Sequence, residues 1–415
     1  MTSFNRRKFI KIAGAAGAAI VAAPAIITRP AKAATTIKVG GIHDRSGPLG
    51  IYGEEMDDAL TLAVEEINAA GGLLGQQIEL AAYDTQSTMQ NYAQYAQRLS
   101  VQDKVDVVFG GITSASRETI RPIFGRFKRL YFYSVLYEGG VCDRNNFING
   151  ETPAQNVGPL LKLAMDKFGA KKIYTIAADY IYGQITADWI KKYTRDFGGE
   201  IIAEEFFPLD VSDFGASITK IQTAKPDMIV SALVGGNHMG FYRQWQAAGM
   251  KENIPLVSTT FGAGREQITL TPEETDGILC AYTYFKEIDT PANKAFVKRW
   301  DDRFGADYPY IGTLAVCTYQ SVYMYKKAVE MAGTVDRMPV IEALETGISV
   351  DGPNGVVTMD PQTHHTYLPI VTAELKGGLF NIIDIAENQP PADTQAVCDL
   401  IADPNQAKMY RIEVD

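Results

Sequence analysis

Short runs of β-branched and aromatic residues alternate along the chain with longer stretches of helical spacing. The first run covers residues 37–42, and the apolar positions that follow it recur at the spacing of one helix face. These positions are Met56, Ala59, Leu60, Ala63, Val64 and Ile67. Gly71 and Gly72 are predicted to end this helix, and residues 76–84 are predicted to form the next strand.

The same alternation continues through the middle of the chain, where most strand candidates are separated by stretches long enough for a helix. Further strands are predicted at residues 105–109, 130–134, 171–177, 199–207, 227–233 and 255–259. Strands that alternate with helices indicate an α/β fold with parallel sheets. In such folds the loops at the carboxyl ends of the strands form the binding face.

Breaks in this alternation predict the boundaries of domains. The polar, proline-containing stretch 150–156 predicts one boundary. Another is predicted near 278–291, where a strand passes into a helix predicted at 291–304. The turn residues Pro353-Asn354-Gly355 predict a hairpin. From about residue 386 little periodicity remains, and this tail is predicted to be an extended cover.

The first 33 residues have a basic start, an apolar middle and the small-x-small motif Ala31-Lys32-Ala33. This pattern predicts a cleaved export signal. Arg6-Arg7 and the residues after them resemble the twin-arginine signature, which implies export of a folded protein to the periplasm. No later segment is apolar enough to span a bilayer, so the mature chain is not expected to insert into a membrane.

The charge balance argues against polyanionic partners. Six of the 39 basic residues and none of the 49 acidic ones lie in the predicted signal, so the formal net charge falls from −10 to −16 without it. Such a chain repels nucleic acid and anionic membranes. At 415 residues with 46% hydrophobic and 21% charged residues, the sequence is typical of a soluble globular protein with two domains.

The four cysteines do not form a pattern typical of a disulfide framework or a metal site. Cys142, Cys280, Cys317 and Cys398 are spread along the chain without a CxxC pair. One disulfide is compatible with the sequence, and its pairing stays open.

Catalytic motifs are absent from the stretch FGGITSASRE (109–118), where a predicted strand passes into a helix. It lacks the lysine of a phosphate loop, and the chain contains no GxGxxG after a strand and no GxSxG elbow. The adjacent His364 and His365 would point to opposite faces of a strand, and a solvated turn is predicted for them. We therefore expect a binding protein without catalytic residues, metal or cofactor.

Four acidic residues at the amino end of the first predicted helix are the other candidates for a catalytic site. They are Glu54, Glu55, Asp57 and Asp58. Acids at this end of a helix interact favourably with its dipole, so a solvated helix face is predicted rather than a catalytic pair.

Residues 46–84 resemble the amino-terminal signature of the leucine/isoleucine/valine-binding family of periplasmic solute-binding proteins, and the resemblance spans nearly the whole mature chain. The branch of this family that binds short-chain amides and urea is the most similar. Its similar stretches are YSVLYEGG (133–140), ADYIYG (178–183), GGNHMGFYRQ (235–244) and IDTPANKAFV (288–297).

The resemblance implies the type 1 periplasmic binding protein fold. In this fold two Rossmann-like lobes, each with a mainly parallel sheet flanked by helices, are joined by three crossovers and enclose a ligand when they hinge shut. The implied division is lobe 1 at 37–154 and 283–345, lobe 2 at 155–282 and 346–385, and a tail at 386–415.

The resemblance also implies a ligand site. Ser114 would lie at a helix amino terminus and hydrogen-bond a ligand oxygen, with an ordinary helix cap as the alternative. Tyr133 and Val135 would form the pocket wall, with core packing as the alternative, and Tyr182 would close over the ligand from lobe 2. Its neighbour Tyr180 is assigned to the core. The other implied ligand residues are Ile112, Gly236, Asn237, Thr260 and Phe261.

Departures from the amino-acid-binding pattern predict the ligand. Relatives that bind amino acids place an acid near residues 258–264 for the ammonium group, and this stretch has none here. Val135 and Leu136 stand where a threonine would help to hold a carboxylate. Because burial of an unpaired charge costs several kcal/mol, the expected ligand is a neutral amide or urea. The alternative is a branched-chain or other amino acid, with Glu266 or Asp179 supplying the charge.

The resemblance implies two kinds of partner. The first is the permease of an ABC transporter, which would receive the small-molecule ligand. The alternative is a periplasmic ligand-sensing role, because the amide branch includes a sensor.

Overall fold

The computed structural model describes residues 36–411. The predicted signal peptide (1–33) lies outside the described residues, so its type and cleavage stay predictions. Within the described part of the chain, no helix combines the length and the apolar character needed to cross a membrane.

The strands and helices follow one another as the alternating pattern predicts. The strands are β1 (Ile37–His43), β2 (Ile78–Asp84), β3 (Val107–Gly110), β4 (Leu130–Tyr133), β5 (Val141–Asp143), β6 (Asn146–Ile148), β7 (Lys172–Ala178), β8 (Glu200–Phe207), β9 (Met228–Ala232), β10 (Leu256–Ser258), β11 (Leu279–Tyr282), β12 (Ser349–Gly352), β13 (Gly355–Met359), β14 (Thr366–Lys376), β15 (Leu379–Gln389) and β16 (Ala407–Met409). The helices are α1 (Gly50–Ala69), α2 (Met89–Arg98), α3 (Ser114–Phe127), α4 (Val157–Phe168), α5 (Ile181–Asp196), α6 (Gly215–Ala224), α7 (Gly236–Ala247), α8 (Glu266–Thr269), α9 (Pro272–Thr275), α10 (Pro291–Phe304), α11 (Thr313–Ala332), α12 (Arg337–Leu344) and α13 (Ala392–Gln395), with a π-helical turn at Leu99–Asp103 after α2.

The first sheet has the strand order β2-β1-β3-β4-β6, and its neighbouring strands are parallel. Its central strand β3 is buried along its whole length, as expected for a strand covered by helices on both faces. Helices α1 and α11 pack against each other beside this sheet, although they are distant in sequence.

The second sheet has the order β12-β13-β14-β11-β10-β9-β7-β8, with β15 paired to β14. Strands β7 to β11 form its parallel part, and β14 joins β11 in the antiparallel direction. The predicted hairpin is confirmed, because β12 and β13 pair with Gly352 opposite Gly355. Together the two sheets confirm the prediction of a two-lobe α/β fold.

The chain passes between the two sheets more often than predicted. It leaves the first sheet after β6, returns after β11 and leaves again after α12, which gives the three predicted crossovers. The tail then makes a fourth passage, because β16 pairs with β5 beside the first sheet. The predicted extended cover is in fact the end of β15, the short helix α13 and β16. The implied lobe boundaries stay predictions.

A disulfide between Cys142 and Cys398 fixes the tail to β5. The two cysteines are 256 positions apart, and both are buried. Cys280 and Cys317 are buried free thiols. The structure therefore gives the pairing that the sequence leaves open.

The prediction of a solvated acidic face on α1 is wrong for Glu55 and Asp57, which are buried. Glu55 Oε2 accepts a hydrogen bond from the backbone N–H of Gly312 at 2.9 Å. Asp57 Oδ2 accepts one from the Arg45 guanidinium at 2.6 Å. Residues distant in sequence cover this end of the helix, and local spacing does not show such contacts.

The prediction of a solvated turn for the adjacent histidines is also wrong, because both are buried. The His364 ring stacks on Phe147 with 4.6 Å between ring centroids. His365 lies between the Tyr137 hydroxyl and the Thr363 carbonyl, at 2.5 and 2.8 Å. Burial lowers the pKa of His365 to about 3, so this ring is neutral at physiological pH.

Candidate functional site

A cavity lies where the carboxyl ends of β3 and β4 in the first sheet face those of β7, β9 and β10 in the second. Its empty volume, including space open to solvent, is about 400 Å³. Residues that follow strands of both sheets line it, as expected for a ligand site in an α/β fold. The lining residues are Tyr52, Ile112, Ser114, Tyr133, Val135, Leu136, Tyr180, Tyr182, Val234, Thr260, Ala263 and Leu314.

The glycine pair after β3 directs the chain into this cavity. Gly110 and Gly111 have φ angles of +147° and +83°, which disfavour residues with a side chain. A Cβ at Gly110 would lie 2.1 Å from the Ile42 carbonyl oxygen, and one at Gly111 would lie 2.8 Å from the Tyr131 hydroxyl. The pair thus permits the tight turn that brings Ser114 to the cavity wall.

Ser114 is the first residue of α3 and lines the cavity, but it is not the helix cap. Thr113 is the cap, because its side chain accepts the backbone N–H of Ser116. The Ser114 hydroxyl donates to Glu138 Oε2 at 2.7 Å. The alternative of an ordinary cap at Ser114 is therefore wrong, and its role toward a ligand stays a prediction.

A buried ion pair stands behind Ser114. Arg117 Nη2 donates to Glu138 Oε1 at 2.7 Å, and neither side chain is exposed to solvent. The Arg117 guanidinium lies over the rings of Tyr133 and Tyr137, at 5.2 and 4.7 Å from their centroids. Burial alone would lower the pKa of Arg117, but the Glu138 carboxylate raises it well above its usual value.

The predicted wall residues of the first lobe line the cavity together. Tyr133 ends β4, and Val135 lies in the loop that follows. The Tyr133 hydroxyl donates to the carbonyl of Ile112 at 2.6 Å, which joins the loops after β4 and β3. Leu136 also lines the cavity, at a position where the sequence analysis noted only a missing threonine.

Two tyrosines after β7 line the cavity from the second lobe. The Tyr182 hydroxyl lies 3.0 Å from the Thr259 hydroxyl. Tyr180, which the sequence analysis assigned to the core, lines the cavity as well. Within residues 36–411 its hydroxyl makes no hydrogen bond, so it is free to contact a ligand. Its position two residues before Tyr182 in DYIYG is the signal that could have identified it.

The remaining predicted residues of the second lobe divide into two groups. Thr260 lines the cavity, and its hydroxyl donates to the Leu233 carbonyl at 2.6 Å. Gly236, Asn237 and Phe261 are not among the residues of the lining. The Asn237 amide donates to two backbone carbonyls of the loop after β8, and the Phe261 ring packs against the aromatic side chains of α7.

Tyr52 is a cavity residue that the sequence analysis missed. It lies on α1, and its hydroxyl accepts the backbone N–H of Gly235 from the second lobe at 2.9 Å. Burial, and then the neighbouring Glu266 carboxyl group, raise the pKa of Tyr52 well above its usual value, so the hydroxyl keeps its proton. One side chain therefore both lines the cavity and joins the two lobes.

Replacing Tyr52 by Phe should weaken ligand binding by about 1–3 kcal/mol, because the buried Gly235 N–H loses its acceptor in the closed form. Titration calorimetry measures the change. Tyr174→Phe is the matched control, because its hydroxyl bonds Glu205 within the second sheet. Equal affinity of Tyr52→Phe and the wild-type protein would contradict this role.

Neither of the two acids that could pair with the ammonium group of an amino-acid ligand lines the cavity. Glu266 is buried, and its Oε2 accepts the backbone N–H groups of Gly262 and Gly264 at 3.0 and 3.1 Å. Asp179 is exposed and accepts the Gln184 amide. Among the described residues that line the cavity none is charged.

Comparison with known proteins places the chain in a family. Residues 37–397 match the family described as periplasmic binding protein domain. The chain is 27% identical over 336 residues to the leucine-, isoleucine-, valine-, threonine- and alanine-binding protein of Pseudomonas aeruginosa, a match that covers 79% of this chain and 87% of that protein.

Solved structures agree with this assignment. A solute-binding protein of an ABC transporter from Rhodopseudomonas palustris HaA2, in complex with p-hydroxybenzoic acid, is 26% identical with a TM-score of 0.76, covering 86% of this chain and 98% of that chain. The substrate-binding protein of a branched-chain amino acid transporter from Streptococcus pneumoniae, in complex with isoleucine, has the same fold, with 23% identity, a TM-score of 0.75, and coverage of 86% and 100%.

The chain belongs to the periplasmic binding protein family. It is a periplasmic solute-binding protein with the type 1 fold, of the kind that serves ABC transporters. Its relatives are binding proteins rather than enzymes, which confirms that part of the prediction. Membership of the amide- and urea-binding branch stays a prediction.

Proposed function

We propose that this protein is the substrate-binding component of an ABC importer and that its ligand is a short-chain amide or urea. The lining of the cavity carries the proposal, because none of its described residues is charged. Urea and acetamide are neutral, whereas leucine and hydroxybenzoate carry charged groups at neutral pH.

The uncharged lining supports a neutral ligand. An amino acid brings an ammonium and a carboxylate into the cavity, and a benzoate brings a carboxylate. No charged side chain among the described lining residues would pair with either group. An unpaired charge in a closed cavity costs several kcal/mol, while the amide group of a neutral solute needs only hydrogen bonds.

Closure of the lobes gives the binding mechanism. Ser114 and Tyr133 belong to the first lobe, and Tyr180 and Tyr182 belong to the second, so a ligand contacts both lobes only in the closed form. The ligand therefore shifts the equilibrium between open and closed forms toward the closed form. A permease that recognises the closed form would then receive loaded protein.

The alternative ligand is a branched-chain amino acid or an aromatic acid. The relatives bound to isoleucine and p-hydroxybenzoic acid favour it. Such a ligand requires a charged partner from outside the lining.

A thermal-shift screen of the purified protein tests the proposal. Urea, acetamide and propionamide are expected to raise the melting temperature, because a ligand at 100 times its dissociation constant stabilises the folded state by about 2.7 kcal/mol. Leucine, isoleucine and 4-hydroxybenzoate serve as matched comparisons and are expected to have no effect. Stabilisation by these larger acids without stabilisation by any amide or urea would refute the proposed ligand class.

A further inference from the structure

Three hydroxyl groups on the cavity wall donate their protons to the protein itself. Ser114 donates to Glu138 Oε2 at 2.7 Å, Tyr133 donates to the Ile112 carbonyl at 2.6 Å, and Thr260 donates to the Leu233 carbonyl at 2.6 Å. A hydroxyl carries one proton and two acceptor lone pairs. Any hydrogen bond that these three groups make with a ligand is therefore one that they accept.

The direction of the Ser114 hydrogen bond is fixed by charge. A carboxylate can only accept a hydrogen bond, and the Glu138 carboxylate pairs with the guanidinium of Arg117 at 2.7 Å. Both side chains of this pair are fully buried, so water does not replace either partner. Reversal of the Ser114 hydroxyl would leave a buried carboxylate oxygen without its donor, which is unfavourable.

The geometry points to Glu138 as a specificity-determining residue: by holding the Ser114 proton it makes the site select solutes with N–H donors over solutes of the same shape without them. Glu138 does not line the cavity, so it is a positioning residue that acts through Ser114. This inference rests on the proposed amide or urea site.

Urea and small amides have the hydrogen-bond donors that this wall requires. Urea and primary amides carry N–H donors for the acceptors at Ser114, Tyr133 and Thr260. The free hydroxyl of Tyr180 remains to donate to their carbonyl oxygen. Acetone has nearly the same shape as acetamide but no N–H donor, and acetate brings acceptors and a negative charge. Both would leave the wall acceptors unpaired.

Titration calorimetry of the wild-type protein with urea, acetamide, acetone and acetate is the first test. Acetone and acetate are expected to bind at least tenfold more weakly than acetamide. Equal binding of acetone and acetamide would overturn the donor requirement while the proposed amide site stands. Binding of leucine with no binding of urea or acetamide would overturn the proposed function and this inference with it.

Glu138→Gln is the second test, because its amide can donate to Ser114 and release the hydroxyl proton toward the cavity. The preference for acetamide over acetate is expected to fall at least fivefold. Glu138→Gln also leaves Arg117 without its counter-charge. The same substitution in the Ser114→Ala variant is the control for that effect. There the preference should not change further, whereas an equal fall in both backgrounds would show that Glu138 does not act through Ser114.

Two more variants keep the inference testable if Glu138→Gln does not fold. Ser114→Ala alone removes the acceptor, and it is expected to reduce the preference for acetamide over acetone at least threefold. Glu138→Asp keeps a carboxylate and should preserve the preference. An unchanged preference in Ser114→Ala would overturn the inference.

Discussion

Replacing Arg117 by Met should lower the free energy of unfolding by about 3–5 kcal/mol, because it leaves the Glu138 carboxylate buried without its counter-charge. The pair is fully buried, with 2.7 Å between Nη2 and Oε1. The substitution also removes the guanidinium from the rings of Tyr133 and Tyr137. Equilibrium denaturation in urea or guanidinium chloride measures the change.

Arg126→Met is the matched control on the same helix. Arg126 is exposed and lies over the ring of Phe127 at 5.6 Å from its centroid. Its replacement is expected to change stability by less than about 0.5 kcal/mol, as is usual for surface substitutions. A similar small loss for Arg117→Met would show that the Arg117–Glu138 pair is not a buried ion pair in solution.

Removal of the disulfide by a double Cys142→Ala and Cys398→Ala substitution should lower stability by about 2–5 kcal/mol. The bridge joins residues 256 positions apart and therefore restricts a long segment of the unfolded chain. Its loss also frees the tail, whose strand β16 pairs with β5. The unfolding midpoint of the double variant, compared with the oxidised wild-type protein, gives the difference.

A reductant provides the control for this prediction. Dithiothreitol should lower the midpoint of the wild-type protein toward that of the double variant and leave the variant itself unchanged. The free thiols of Cys280 and Cys317 are present in both proteins. Equal midpoints of the oxidised wild-type protein and the variant would mean that the bridge does not stabilise the fold.

The sequence predicts the fold well because periodicity is a local property. The spacing from Met56 to Ile67 predicts α1, and the helix predicted at 291–304 has the same bounds as α10. The burial of residues whose partners are distant in sequence was not predicted. Glu55 lies under the backbone of Gly312, and neither residue reveals the other in the sequence.

The candidate site was predicted in part for the same reason. Ser114, Tyr133 and Thr260 follow strands, and the loops after parallel strands meet at one edge of each sheet. Tyr52 was missed because it lies within a helix and not after a strand. Its hydroxyl accepts a hydrogen bond from the backbone of the second lobe, which is distant in sequence. The ion pair behind Ser114 was missed because buried charges are rare, so charged residues are assigned to the surface by default.

The bridge between Cys142 and Cys398 also affects the order in which the protein matures. It can close only after nearly the whole chain has been synthesised, and such bridges persist in oxidising compartments rather than in the cytosol. A chain that folds in the cytosol before export, as the predicted twin-arginine signal implies, would cross the membrane with its tail not yet covalently fixed. The last step of its maturation would then take place in the periplasm.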